Sequence, residues 1–126
     1  MRVVIAGAGD VGYRVARDLV TRGHGVSLID CDPVAVKRAQ ALDAQVIQGH
    51  AASPKLLAEQ SGLAEADLFI GVTGDDAVNL LGCRLASVMG CRTIARLNTP
   101  ALMEWPADPD PQKVYGIDAY ISPDEL

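Results

Sequence analysis

Gly7, Gly9 and Gly12, with an acid at Asp30, are the residues whose types and spacing speak most directly of chemistry. Gly7-Ala8-Gly9-Asp10-Val11-Gly12 matches the pattern GxGxxG: Gly7 allows a tight turn, Gly9 lets a pyrophosphate approach the backbone, and Gly12 permits close packing of a helix on a strand. A helix opening there presents unpaired N–H groups and a positive dipole end to phosphate. Asp30, followed by Cys31 on the same strand end, supplies a carboxylate that accepts hydrogen bonds from both hydroxyls of an adenosine ribose. It would repel a 2′-phosphate, and no Arg stands between Cys31 and Pro33 to receive one. The pattern therefore favours NAD(H) or another adenosine nucleotide over NADP(H). The simpler alternative is a Gly-rich turn without a ligand.

Other polar positions attach to this group. Asp32 either shares the ribose or caps the next helix, the simpler reading. Gly49-His50-Ala51 falls where adenine would be flanked, His50 touching the base or facing water. Val72-Thr73-Gly74 falls beside the point where strand order reverses, close to phosphates or a nicotinamide ribose, and Thr73 with Asp76 also forms an acidic capping box. Asp10, inside the turn, faces solvent or a cation, because an inward carboxylate would repel phosphate. Arg96, within an apolar run, needs a partner, either a bound phosphate or Asp76. His24 lies at the opposite edge.

These positions require strands and helices in alternation, and the apolar pattern supplies them. Arg2 to Ala6 is the nearly continuous apolar run of a strand covered on both faces. Val11, Val15, Ala16, Leu19 and Val20 recur with a helical period. Further strands are expected at Val26–Ile29, Gln45–Gln48, Asp67–Val72, Thr93–Leu97 and Asp118–Ile121. Cap-then-proline pairs at Asp32-Pro33, Ser53-Pro54 and Thr99-Pro100 open helices to near Leu42, Gln60 and Glu104, and another helix ends near Met89. Trp105 to Lys113, with Pro106, Pro109 and Pro111, reads as a surface loop. The expected architecture is α/β: a Rossmann-type doubly wound parallel sheet of six strands ordered 3-2-1-4-5-6, forming one domain over 1–126.

The 126 residues leave no room for a nucleotide-binding unit plus a substrate domain, and 49% apolar with 21% charged residues suits a folded core. Sixteen acids against eleven Lys and Arg give a net charge of -5, which argues against a nucleic-acid partner. No apolar run reaches the roughly 18 residues that cross a bilayer, so a cytoplasmic protein without direct membrane insertion is expected. Cys31, Cys83 and Cys91 lack metal-site spacing and read as thiols in a reducing compartment. Pro123–Leu126 lacks the basic first residue of an ER-retention signal. Neither a nucleophile with an adjacent base nor a positioned general acid is evident, so binding without turnover is the economical reading. The helix from Asp76 to Met89 is apolar over most of its circumference, which predicts a subunit interface or partial cover by the 105–113 loop.

Together, IAGAGDVGYRVARDL, LIDCDP, QGHAASPKLL, ADLFIGVTGDDAVNL, TIARLN and YGIDAYISPDEL make the chain similar to the N-terminal nucleotide-binding lobe of the RCK/KTN family, especially the regulatory subunits of Trk-type potassium uptake systems. The resemblance spans nearly the whole chain. It implies a cytosolic regulator, assembled as a homodimer or larger ring, that binds NAD(H) or ATP/ADP and gates a membrane-embedded K⁺ transporter or channel from the inner face of the membrane. It also implies a phosphate turn at Gly7 to Gly12, a ribose acid at Asp30, a base-side segment at Gly49 to Ala51 and a further contact at Val72 to Gly74. Some relatives carry a basic residue or an amide at the position of Asp10, so the acid here favours NAD(H). Relatives usually continue beyond a motif like ISPDEL, which implies a domain or a short form of the subunit. The alternatives are the cofactor-binding half of an NAD-dependent oxidoreductase, or the same lobe fused to a K⁺ or K⁺/H⁺ antiport membrane domain.

Overall fold

A computed structural model of the chain describes residues 1–106 and 108–122. The expected PDEL segment lies outside the described residues. The strands are β1 (Arg2–Ala6), β2 (Gly25–Asp30), β3 (Gln45–Gln48), β4 (Leu68–Gly71), β5 (Arg92–Arg96) and β6 (Ala119–Ile121). They form one parallel sheet ordered β3-β2-β1-β4-β5-β6, as the alternation of patterns requires. The helices are α1 (Asp10–Thr21), α2 (Pro33–Ala39), α3 (Pro54–Glu59), α4 (Asp76–Val88) and α5 (Pro111–Tyr115).

Strand alternation divides the core in two. On β1, Val3 and Ile5 join Leu28, Ala16 and Ala39 on one face, packed under α1 and α2. Val4 and Ala6 point the other way, to Ile29, Leu57, Phe69, Leu80 and Cys83 beneath α3 and α4. Covering both faces explains why the central strands are apolar throughout. β1 stands between β2 and β4, so successive crossovers leave it in opposite directions. The two connections part above the carboxyl end of β1 and open a crevice there.

Four expectations are corrected. Asp75, not Thr73, caps α4, its carboxylate accepting the Ala77 N–H at 2.9 Å. Asp76 accepts the N–H groups of Asn98 and Thr99, each at 2.8 Å, and so ties the loop after β5 to the start of α4. The 105–113 segment is not loop throughout. Asp110 caps α5 and Pro111 stands at its first turn, where a missing N–H costs nothing, while Pro100–Met103 forms only a 3-10 turn. The helix after Pro33 also ends at Ala39, short of Leu42.

Candidate nucleotide cleft

The crevice is a cleft of about 650 Å³ at the carboxyl ends of β1, β2 and β4. The Gly turn forms its floor. Gly7 has φ +110°, and a Cβ there would lie 2.9 Å from the Thr73 nitrogen and 3.0 Å from the Val72 carbonyl, so glycine sets both the turn and the approach to β4. A Cβ on Gly12 would collide with the Gly7 carbonyl oxygen. Gly9 differs: its backbone is ordinary for any residue (φ -69°, ψ -164°), and a Cβ there would meet nothing within 4 Å. The space over Gly9 opens onto the cleft and the start of α1, where a phosphate gains most from the helix N–H groups.

Asp30 closes the ribose side. One carboxylate oxygen accepts the Ala8 N–H and the other accepts the Asp32 N–H, each at 2.8 Å. Each oxygen keeps acceptor capacity for a ribose hydroxyl, because an ionised carboxylate offers about four lone-pair directions. The same carboxylate thus fixes the Gly turn and faces the cleft. Asp32 caps α2 through the Val34 N–H at 2.9 Å, the simpler of its two expected roles.

Across the cleft, Thr73 and Arg96 are held by Asn79, a fully buried side chain on α4. Its amide nitrogen donates to the carbonyl oxygens of Thr73 (3.1 Å) and Arg96 (2.8 Å), and its amide oxygen accepts the Thr73 N–H (2.9 Å). The Arg96 guanidinium reaches the wall with its Nε buried and without a hydrogen-bond partner among the described residues. Asp76 does not supply that partner, since its carboxylate is engaged by Asn98 and Thr99. A buried donor left unmade costs about 1–3 kcal/mol. These features fit an adenosine nucleotide: Asp30 for ribose, Gly9 and α1 for phosphate, Arg96 for a further phosphate oxygen.

Of the expected residues, Gly7, Gly9, Asp10, Val11, Asp30, Cys31, His50, Ala51, Val72, Thr73, Gly74 and Arg96 line the cleft. Ala8, Gly12 and Gly49 are not among the lining residues, with a physical reason for each. The Ala8 N–H is engaged by Asp30 and its side chain is buried, Gly12 lies beneath Gly7, and Gly49 packs against Leu56. They shape the wall from behind. His50 accepts the Ala52 N–H at Nδ1 (3.1 Å), so its neutral ring carries the proton on Nε2. His24 sits at the opposite edge, beside Met1. Asp10 meets a cation, Arg38, at 2.8 Å. Sequence reasoning missed Ile29, Asp75 and Val78 as lining residues and Asn79 as the support of Thr73 and Arg96; a buried amide inside an apolar helix face was the available signal for Asn79.

Known proteins share the family and the fold of this chain. The family model described as the TrkA-N domain matches residues 3–123. A Trk system potassium uptake protein trkA homolog from Methanosarcina mazei is 37% identical over 132 residues, covering 98% of this chain and 31% of the relative. The chain thus spans about a third of that relative's length. The TrkA-N domain of the Escherichia coli inner membrane protein ybaL superposes with a TM-score of 0.82 at 14% identity, covering 98% of this chain and 88% of that one. A Shewanella denitrificans Kef C-terminal domain in AMP-bound form superposes with a TM-score of 0.76 at 24% identity, covering 97% and 71%. At these identities the two structures speak for the fold.

Proposed function

The chain belongs to the TrkA-N domain family, and from that premise we propose that it is a ligand-sensing regulatory domain that binds an adenosine nucleotide without turning it over. NAD(H) is the favoured ligand and ATP or ADP the alternative. The observation that carries the reading is Asp30, whose two oxygens brace the Gly turn and the start of α2 while facing the cleft. The relatives' names as Trk potassium uptake proteins support the wider role: a module of one domain, 1–126, that reports nucleotide occupancy to a membrane-embedded K⁺ transporter or channel on the cytoplasmic side. It would do so as a homodimer or larger ring.

The mechanism follows from the cleft's two walls. Asp30 and the Gly turn belong to the β1–β2 side, and Thr73 and Arg96 to the β4–β5 side, fixed to α4 through Asn79. A nucleotide held by both walls stabilises one spacing between them. Its differential affinity for two arrangements is the free energy available to shift an assembly. Calorimetry against NADH, NAD⁺, ATP, ADP and AMP tests the reading, with Asp30→Ala and Asp30→Asn as controls. Binding by wild type and its loss in Asp30→Ala is the expected result. Failure of every nucleotide to bind, or undiminished binding by Asp30→Ala, overturns it. Steady oxidation of NADH coupled to a substrate would favour the oxidoreductase alternative.

A further inference from the structure

An acid at the opening of the phosphate-side helix poses an electrostatic problem. Asp10 is the first residue of α1 and lies on the cleft rim, where its charge opposes the dipole that attracts phosphate. Its carboxylate is bound at 2.8 Å by Nη1 of Arg38, which comes from the last turn of α2 and is not among the cleft-lining residues. The guanidinium lies over the Tyr13 ring, 4.3 Å from its centroid. Tyr13 is one turn along α1 from Asp10, so ring and carboxylate hold the guanidinium at two points. The hydrogen bond and charge of Arg38 keep the Asp10 carboxyl below the usual carboxylate range, so it is ionised at any pH near neutrality.

We propose that Arg38, held by Tyr13, is a positioning residue for phosphate recognition: it neutralises the Asp10 carboxylate and keeps it directed away from the Gly turn, so that a polyphosphate can approach α1. This rests on the nucleotide-binding reading and specifies how the site tolerates charge. The effect grows with the number of phosphate charges and is absent for a ligand with none. Removing Arg38 unmasks Asp10, and removing the Asp10 charge as well makes Arg38 dispensable.

Calorimetry of wild type, Arg38→Ala, Asp10→Asn and the double variant against adenosine, ADP and ATP tests this. Arg38→Ala is expected to leave adenosine affinity within about twofold and to weaken ATP about two- to fivefold, with ADP between, as befits an exposed charge pair. The loss should shrink in about 0.5 M salt, where exposed charges are screened. Adding Asp10→Asn should restore ATP binding, the coupling that a double-mutant cycle isolates. Loss of mere packing on Tyr13 would not be restored. The proposal is overturned if Arg38→Ala leaves ATP unchanged, weakens adenosine and ATP alike, or is not rescued by Asp10→Asn. Should Arg38→Ala fail to fold, Arg38→Gln carries the same comparison while keeping the aliphatic stem. Wild-type failure to bind these three ligands while NADH binds would overturn this inference alone, and failure of NADH as well would overturn the nucleotide-binding reading itself.

Discussion

Asn79 and Thr73 are joined by three hydrogen bonds: Asn79 Oδ1 accepts the Thr73 N–H at 2.9 Å and the Thr73 hydroxyl at 2.7 Å, and Asn79 Nδ2 donates to the Thr73 carbonyl at 3.1 Å. The remaining amide hydrogen goes to the Arg96 carbonyl at 2.8 Å. One side chain thereby satisfies the backbone where β4 and β5 both end. Asn79 is fully buried, and the bonds it makes to these partners are partly buried.

Asn79→Ala should therefore be among the costlier polar substitutions in the chain. Orphaning buried backbone groups costs about 1–3 kcal/mol each, so a fall in Tm on the order of 10 °C is expected by calorimetry or circular dichroism. Asn79→Asp has nearly the same shape but lacks the two donors, and sets a carboxylate against two carbonyl oxygens. It should be no more stable than Asn79→Ala. An Asp variant melting within about 2 °C of wild type would show that the amide donors are not needed.

The glycines of the turn divide into two classes by the space around them. Gly12→Ala drives a methyl into the Gly7 carbonyl and should unfold the domain or lower its Tm on the order of 10 °C, since core overpacking costs about 1–3 kcal/mol or more. Gly9→Ala fits the backbone and meets no neighbour, so its melting curve should match wild type. The new methyl stands where phosphate must approach, and ADP affinity should fall at least about tenfold, or about 1.4 kcal/mol. Comparing melting curves with binding isotherms for the two variants separates a packing glycine from a binding one. Unchanged ADP affinity in Gly9→Ala would remove Gly9 from the phosphate site.

Much of this was legible in the chain because the signals are local. Strand order follows from alternating patterns and short right-handed crossovers, and the Gly turn and Asp30 follow from fixed spacing along one βαβ unit. What sequence reasoning missed is set by contacts distant in sequence. Asp76 looked like a partner for Arg96, yet the chain after β5 returns to present the Asn98 and Thr99 N–H groups to it. Thr73 looked like a cap because its spacing to Asp76 suits one, but Asp75 stands closer to the first turn and takes the role. Pro111 was read only as a strand and helix breaker, although after Asp110 it is an ordinary helix opener. The Asp10–Arg38 pair joins the start of α1 to the end of α2, two helices separated in the chain by β2, and no spacing rule announces it.

The three thiols should behave differently. Cys31 is exposed on the cleft wall, whereas Cys83 and Cys91 are buried. Burial pushes the Cys83 thiol from 9.0 up to about 12, with Asp118 adding to the rise, and also raises Cys91. Under native conditions iodoacetamide should label Cys31 alone, and bound nucleotide should slow that labelling. The pH dependence has a definite sign. As pH rises the unfolded chain releases the Cys83 proton first, so the stability this thiol contributes is complete below pH 9 and is lost between 9 and about 12. Replacing Cys83 with Ala should flatten the decline of Tm between about pH 8 and pH 10.5, beyond any constant offset from the lost sulfur. An identical slope in wild type and variant would assign alkaline sensitivity elsewhere.

The outer face of α4 bears on assembly. Leu80, Cys83 and Ala86 turn into the core, but Leu81 is 51% exposed and Val88 69% exposed, one helical stripe apart. Met89 from the end of the same helix and Val114 and Tyr115 from α5 are exposed as well. α5, which begins within the 105–113 segment, packs against α4 yet leaves these side chains open. If the face is a subunit interface, Leu81→Asp should disrupt assembly without harming the fold, because an exposed position carries little of the core's packing energy. Light scattering after size exclusion should show wild type as a dimer or larger and the variant nearer monomer mass. Melting of the dilute variant should stay within about 3 °C of dilute wild type, since exposed substitutions usually fall within about 0.5 kcal/mol. A wild-type monomer at high concentration, or a variant of unchanged mass, would remove α4 from the assembly surface.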